Sequence, residues 1–303
     1  MKNNGLRTII NIVILVVISV WTIFPIYWLV ATSVKQHWEW TAHPPVWFPK
    51  PIIDNYAVLF TGELYMRPGG SYGEAGAITG GAAETIKYTI QPAYPQLINS
   101  LFIAGLGSLI AIIVAYLAAY GISRYKTGGT FMYIFILTTR MFPAYGIAIP
   151  FVVIYTYLGL MDSRIPLAAI YASGTFAFAV WMLRSFIDEI PIEIEEAAMI
   201  DGCTRWEVMF KITLPLVKGG LLSAALFVFI LNWGEFLLAQ VFTYKNAVTA
   251  PVQLQKYFAS SGYLYGPMAA QGTLSVIPVI VLAYVIQKHL IRGLTFGAIK
   301  GSS

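Results

Sequence analysis

Glu195-Glu196-Ala197-Ala198-Met199-Ile200-Asp201-Gly202, followed by Ile212-Thr213-Leu214-Pro215, sits in a polar stretch enclosed by two long apolar segments. Charged side chains are expensive in hydrocarbon, so a chain that concentrates them in one loop presents that loop to water and to whatever meets it there. Pro191 suits a first helical turn, and Ile192 to Ile200 can follow it as a helix with Glu193 and Glu196 one turn apart. Gly202 supplies a bend that a residue with a side chain resists. Thr204 and Glu207 have the spacing of a capping box, starting a second helix through Trp206, Met209 and Phe210 with Pro215 near its end. The expectation is two short helices joined by a fixed elbow. Acidic residues (Asp188, Glu189, Glu193, Glu195, Glu196, Asp201, Glu207) outnumber basic ones here. A solvated acidic face accounts for the charges but not for the elbow, the cap and the apolar residues together.

Outward from this loop, composition sets the class. With 58% hydrophobic and only 11% charged residues and a mean hydropathy of +0.70, the chain is more apolar than a soluble domain of 303 residues requires. The expected fold is an all-α integral membrane domain over residues 1–303. Its spans are read at 8–34, 97–122, 131–157, 165–187, 221–242 and 271–289, each long enough for about 30 Å of hydrocarbon at about 1.5 Å per residue. The first is longer than a signal-peptide core, holds Trp21 and Pro25, and has no small-residue cleavage pattern after it, so it reads as a retained anchor. The polar loop is 188–218, and a long segment, 35–96, lies on the other side.

Orientation follows from the basic residues. Lys2, Arg7, Arg124, Lys126, Arg184, Arg205, Lys211, Lys218, Lys288, Arg292 and Lys300 share one side, and the short connection 123–130 is basic. The positive-inside rule therefore places both termini and the polar loop in the cytoplasm of a cell that carries the chain in its cytoplasmic membrane. The net charge of +5 is dispersed, which argues against nucleic acid as a partner. Cys203 is the single cysteine, excluding an internal disulfide, and His37, His43 and His289 are too scattered for a metal site.

The outer segment opens with aromatic residues among prolines (Trp38, Trp40, Pro44, Pro45, Trp47, Phe48, Pro49, Pro51), which suits the headgroup interface. A short helix is expected from Asp54 to Phe60. Pro68 to Ala83, rich in Gly and Ala, lacks the apolar side chains to hold one conformation and is expected to be a mobile outer loop, either a tolerated insertion or a contact for an external partner. Inside the spans, Arg140 and Glu235 are costly charges that fall at similar depth. An ion pair lining a path is one reading. Snorkelling or a sister subunit for Arg140, and helix packing for Glu235, are the others. Pro143 and Pro150 in the third span, with Pro25 and Pro278, mark either structural kinks or helices bent beside a pore.

The stretch from Glu195 to Gly202 with Ile212-Thr213-Leu214-Pro215 resembles the cytoplasmic E-A-A loop of permease subunits in binding-protein-dependent ABC importers. Further pieces resemble the carbohydrate branch, the maltose-type second permease: Asp54-Asn55-Tyr56, Asn99-Ser100-Leu101, Met141-Phe142-Pro143, Asn232-Trp233-Gly234-Glu235-Phe236, and the ending from Arg292 to Gly301. The match runs over nearly the whole chain, carried by the loop and by the order of the weaker pieces.

The resemblance implies that the loop docks in a cleft of a cytoplasmic ATPase, whose ATP-driven closure reaches the spans through it. Glu196 would offer charge, Ala197 and Ala198 close approach, Gly202 the elbow, and Met199, Ile200 and Met209 an apolar face for the cleft; Glu195, Asp201, Leu214 and Pro215 are counted with them as ATPase-coupling residues. No G-x-x-x-x-G-K-[ST] loop occurs here, so ATP and Mg belong to two partner ATPase subunits, and the chain is neither an enzyme nor a cofactor holder. A second permease, an extracytoplasmic sugar-binding protein, a sugar and membrane lipid complete the implied partners. Arg140, Tyr145, Asn232, Trp233 and Glu235 are candidates for the substrate path, with Tyr155 and Tyr157 as further rings for sugar faces. The rivals are an ion-coupled secondary carrier or channel without an ATPase, which calls for inverted repeats that the sequence lacks, and a membrane enzyme, which calls for a polar catalytic cluster.

Overall fold

The computed structural model describes residues 3–66, 86–259 and 262–298. In chain order its elements are α1 (Asn3–Ser33), α2 (Asp54–Thr61), β1 (Glu63–Met66), β2 (Ile86–Thr89), α3 (Tyr94–Tyr125), α4 (Gly129–Thr138), α5 (Ala144–Tyr157), α6 (Arg164–Asp188), α7 (Ile192–Ile200), α8 (Arg205–Glu207), α9 (Leu214–Leu216), α10 (Lys218–Trp233), α11 (Leu237–Phe242), α12 (Ala250–Leu254), β3 (Phe258–Ala259), β4 (Gly262–Tyr263) and α13 (Tyr265–Ala298). The fold is helical, with two small antiparallel strand pairs, β1–β2 and β3–β4, that the sequence reading did not contain. Four helices are long and apolar enough to cross a membrane, and six spans result if each of two bent pairs counts as one. By contacts the chain forms two compact units, residues 1–95 with 253–277 and residues 96–252 with 278–303.

In the first unit, α1 is apolar on every side, and its hydrophobic residues from Ile9 to Ile26 are exposed, as suits a helix whose solvent is lipid. Beyond its end the expected short helix is present as α2. Asn55 on α2 donates to the carbonyls of Ser33 and Lys35 at 3.0 and 2.8 Å, satisfying acceptors that the end of a helix leaves open. Val58, Leu59, Leu64, Tyr257 and Leu264 make the small core beneath. The Gly-rich stretch 68–83 lies outside the described residues.

The second unit is built on α3, α6 and α10. Ala104, Gly107, Ser108, Ala111, Ala115 and Ala119 are buried along one face of α3 at helical spacing, and such small residues let helix backbones approach closely where lipid supplies no hydrophobic drive. At Gly107 a Cβ would fall 2.9 Å from the Ala168 carbonyl oxygen of α6, so this approach needs glycine for space. Gly107→Leu should destabilise the detergent-solubilised chain by about 1–3 kcal/mol through overpacking, lowering its thermal midpoint. An unchanged midpoint would mean that α3 and α6 do not meet there.

Two spans depart from the expectation of continuous helices. The third, 131–157, is α4 and α5, bent 88° at Phe142-Pro143. Proline has no N–H for the ladder and pushes the residue before it into extended backbone, as seen at Phe142 with ψ 132°. The fifth, 221–242, begins earlier, at Lys218, and is interrupted after Trp233. There Glu235 Oε1 accepts the Leu238 N–H at 2.9 Å, so a side chain takes the place of a backbone carbonyl at the start of α11.

Beyond α11 the chain is held by one carboxylate. Asp162 accepts N–H bonds from Tyr244, Lys245, Asn246 and Ala247 at 2.8–3.2 Å. Burial alone would raise its carboxyl, but these four donors outweigh burial and hold it below the usual carboxylate range. Asn99 adds bonds to the Asn246 and Val248 carbonyls, both at 2.9 Å.

Candidate functional site: the polar loop and the adjacent cavity

Between α6 and α10 the loop forms the expected pair of short helices. α7 ends where Gly202 takes φ +93°, a conformation open mainly to glycine. The N–H groups of Asp201, Gly202 and Cys203 fold back on the carbonyls of Ala197, Met199 and Ala198. The capping box is present: Thr204 Oγ1 accepts from Glu207 N at 3.4 Å and Glu207 Oε2 accepts from Thr204 N at 2.9 Å. Lys211 foremost, then Thr204, holds the Glu207 carboxyl down to about 2, so the cap stays ionised at any physiological pH. The second helix is not uniform, because Val208–Thr213 widens into a π-helical turn between α8 and α9.

The loop divides into a presented side and a held side. Glu193, Glu196, Ala197, Met199, Ile200 and Asp201 are exposed, with Ile200 at 86%. Exposed Trp206 and Phe210 stack with ring centres 6.1 Å apart, and Leu216 and Pro215 extend the apolar surface. The held side is centred on Glu195, which is buried. It accepts from Arg124 Nε at 2.9 Å, Tyr120 Oη at 3.0 Å and Thr213 Oγ1 at 2.8 Å. Arg124 Nη2 also donates to the carbonyls of Ile187 and Ile190. Tyr116 Oη donates to the Met209 carbonyl at 2.7 Å, and Ser123 hydrogen-bonds to Asp188.

A cavity of about 310 Å³ opens where α4 gives way to α5 and α10 to α11. Arg140, Tyr171, Ser173, Asn232 and Glu235 bring polar groups to it, and Phe142, Phe151 and Phe242 bring rings. Arg140 Nη1 donates to the Gly174 carbonyl of α6 at 2.6 Å. Tyr171 Oη donates to the Glu235 carbonyl at 3.1 Å. The Asn232 amide hydrogen-bonds to Ser108 Oγ of α3 at 3.0 Å. Apolar walls with a few fixed polar groups are the usual make-up of a small-molecule site.

Residues 87–296 match the family model for the inner membrane component of binding-protein-dependent transport systems. The chain belongs to that family. It is a multi-pass membrane permease of the ABC transporter class, and the ion-coupled carrier and the membrane enzyme are set aside. A probable ABC transporter permease protein, y4oR, of Sinorhizobium fredii is 32% identical over 92% of this permease and 90% of its own length. The trehalose/maltose transport system permease protein MalG of Thermococcus litoralis is 30% identical over 99% and 100%. A bacterial ABC transporter involved in import of the acidic polysaccharide alginate contains a chain of the same fold, with a TM-score of 0.70 at 21% identity, covering 96% of this permease and 98% of that chain. Membership implies work with an ATPase and an external binding protein.

Several residues of the permease stand elsewhere than expected. Glu195, counted among the ATPase-coupling residues, is buried with its carboxylate engaged by Arg124, Tyr120 and Thr213 and is not on the presented side. Met209 is buried in the core of the second unit instead of joining the apolar face, and Leu214 packs against the same core. Arg140 and Glu235 line one cavity without an ion pair between them, since each group is engaged by a backbone partner. Trp233 stacks on Phe229 at 5.7 Å in a cluster with Ala104 and does not line the cavity. Tyr155 packs on Phe242 at 5.3 Å, Tyr157 is exposed, and the Tyr145 side chain lies outside the described residues. Tyr171, Ser173 and Phe151 were missed, and Phe142 was quoted only within Met141-Phe142-Pro143, not as a cavity residue. Only the proline at 143 signalled that a wall would open near Phe142.

Proposed function

We propose that this permease forms half of the translocation path of an ATP-driven sugar importer, beside a second permease, and is moved by two cytoplasmic ATPase subunits that hold the E-A-A loop. Both termini then face the cytoplasm, and an extracytoplasmic binding protein delivers the sugar. The carrying observation is the presented side of the loop: Glu196, Met199 and Ile200 stand in solvent on a helix whose inner side is fixed to the spans. An exposed apolar apex on a rigid mount suits insertion into a cleft. ATP and Mg sit on the ATPases, and this chain supplies the coupling surface (Glu196, Ala197, Ala198, Met199, Ile200, Asp201, Gly202, Pro215).

The sugar assignment draws support from the trehalose/maltose permease of Thermococcus litoralis, similar over its full length. The cavity agrees in chemistry. Rings such as Phe142 and Phe151 suit the C–H faces of a sugar, and Arg140, Asn232, Ser173 and Glu235 offer partners for hydroxyls. The test is ATP hydrolysis by the reconstituted assembly with its binding protein, with trehalose and maltose as probes. Stimulation by a sugar supports the reading, and transport by this chain without any ATPase would overturn it. Glu196→Lys should leave insertion intact and lower sugar-stimulated hydrolysis about tenfold, a coupling loss of about 1.4 kcal/mol. Uptake of labelled sugar into proteoliposomes checks it, and full uptake would remove Glu196 from the interface.

A further inference from the structure

The first loop helix is held in an unusual way: Glu195 is the only buried side chain on α7. No apolar residue of that helix is buried. Its one buried anchor is a carboxylate, and the Arg124 and Glu195 side chains are only 9% and 4% exposed. Arg124 stands in the last turn of α3, and its planar guanidinium bonds at once to Glu195 and to the carbonyls of Ile187 and Ile190. Tyr120, one turn earlier, and Thr213, across the π-helical turn, complete the set around the same carboxylate. Four segments therefore meet at one ion pair: the end of α3, the end of α6, α7 and the second loop helix. Apolar side chains can slide over one another, whereas a forked set of charge-assisted hydrogen bonds is directional and fixes register.

We propose that the buried Arg124–Glu195 pair is the positioning element that makes the loop and the end of α3 one lever, so that motion imposed at the exposed apex reaches the wall of the cavity. This rests on the reading that an ATPase holds that apex. Glu195 then acts through Arg124 and not by touching the partner, in contrast to its neighbour Glu196. The cavity end of the lever is Ser108, three turns before Tyr120 on α3 and bonded to Asn232 of the cavity wall. Removing one charge of a buried pair strands the other, so Arg124→Gln and Glu195→Gln belong together in one chain, where both charges vanish.

The experiment uses the full complex in lipid nanodiscs, with Cys203→Ser and a reporter, Leu231→Cys, in the cavity wall. A sulfonated methanethiosulfonate reads the accessibility of the reporter with and without Mg-AMP-PNP. In the parent complex the nucleotide should change the labelling rate about tenfold, as a population shift of the cavity requires. In the R124Q/E195Q variant the change should fall below about twofold, with ATPase content and ATP turnover retained. Arg124→Lys keeps the charge but loses the fork, and an intermediate change is expected; should the double variant fail to accumulate, this variant decides alone. An undiminished nucleotide effect overturns the lever. So does loss of the ATPase from the Arg124→Lys complex, which would assign the pair to assembly. A parent complex that holds no ATPase at all contradicts the proposed function and not the lever.

Discussion

Ile200→Asp should abolish ATP-driven uptake while the permease still inserts and folds. The side chain stands 86% exposed at the end of α7, so the substitution disturbs little packing within the chain. If the apex enters a cleft, however, a carboxylate must be desolvated there without a partner, and central apolar positions of interfaces typically cost 2 kcal/mol or more when altered. That corresponds to roughly a 30-fold weaker hold on the ATPase. Co-purification of the ATPase and uptake into proteoliposomes read the two consequences separately. Both should fall, with an unchanged melting profile for the isolated permease. Uptake at the parent rate would mean that the apex meets only water.

Asp162→Ala should be among the most destabilising single changes in the second unit. It removes the acceptor for four consecutive N–H groups, Tyr244 to Ala247, in the connection after α11. Hydrogen bonds to a charged group contribute about 1.5–3 kcal/mol each, and some donors will find water, so a loss of about 3 kcal/mol is expected. The pH dependence has a definite sign. A carboxylate held below its unfolded value contributes fully above that value, about 3.9, and its contribution fades as pH falls through the lower folded value. The gap in melting temperature between parent and variant should therefore be full at pH 7 and narrow only below about pH 4. A gap that narrows between pH 6 and 8 would implicate another group.

What could be read from sequence was what depends on neighbours along the chain. The elbow at Gly202 and the box of Thr204 and Glu207 lie within a few residues of one another, and both appear as expected. Uniformly apolar runs such as those of α1, α3 and α6 declared themselves by length alone. Reading failed where the deciding partner is remote. Glu195 and Glu196 are adjacent carboxylates, but they point about 100° apart around the helix, and only one faces an arginine 71 positions earlier. Arg124 itself counted merely as a marker of orientation. The same remoteness concealed Asp162, whose donors follow more than 80 positions later. In the fifth span no proline announces the break. A glutamate side chain captures the Leu238 N–H, and a hydropathy pattern has no term for that. The cavity inherits these failures, since both broken spans form its walls.

Under the proposed function the ATPases drive this permease through the tip of α7. The most direct measurement is cross-linking in native membranes from a cysteine at position 200, in a Cys203→Ser background, with the product identified by mass spectrometry. A cross-linked neighbour that carries a phosphate-binding loop and hydrolyses ATP is the predicted result. Uptake that continues at full rate while position 200 captures no nucleotide-hydrolysing chain would contradict it.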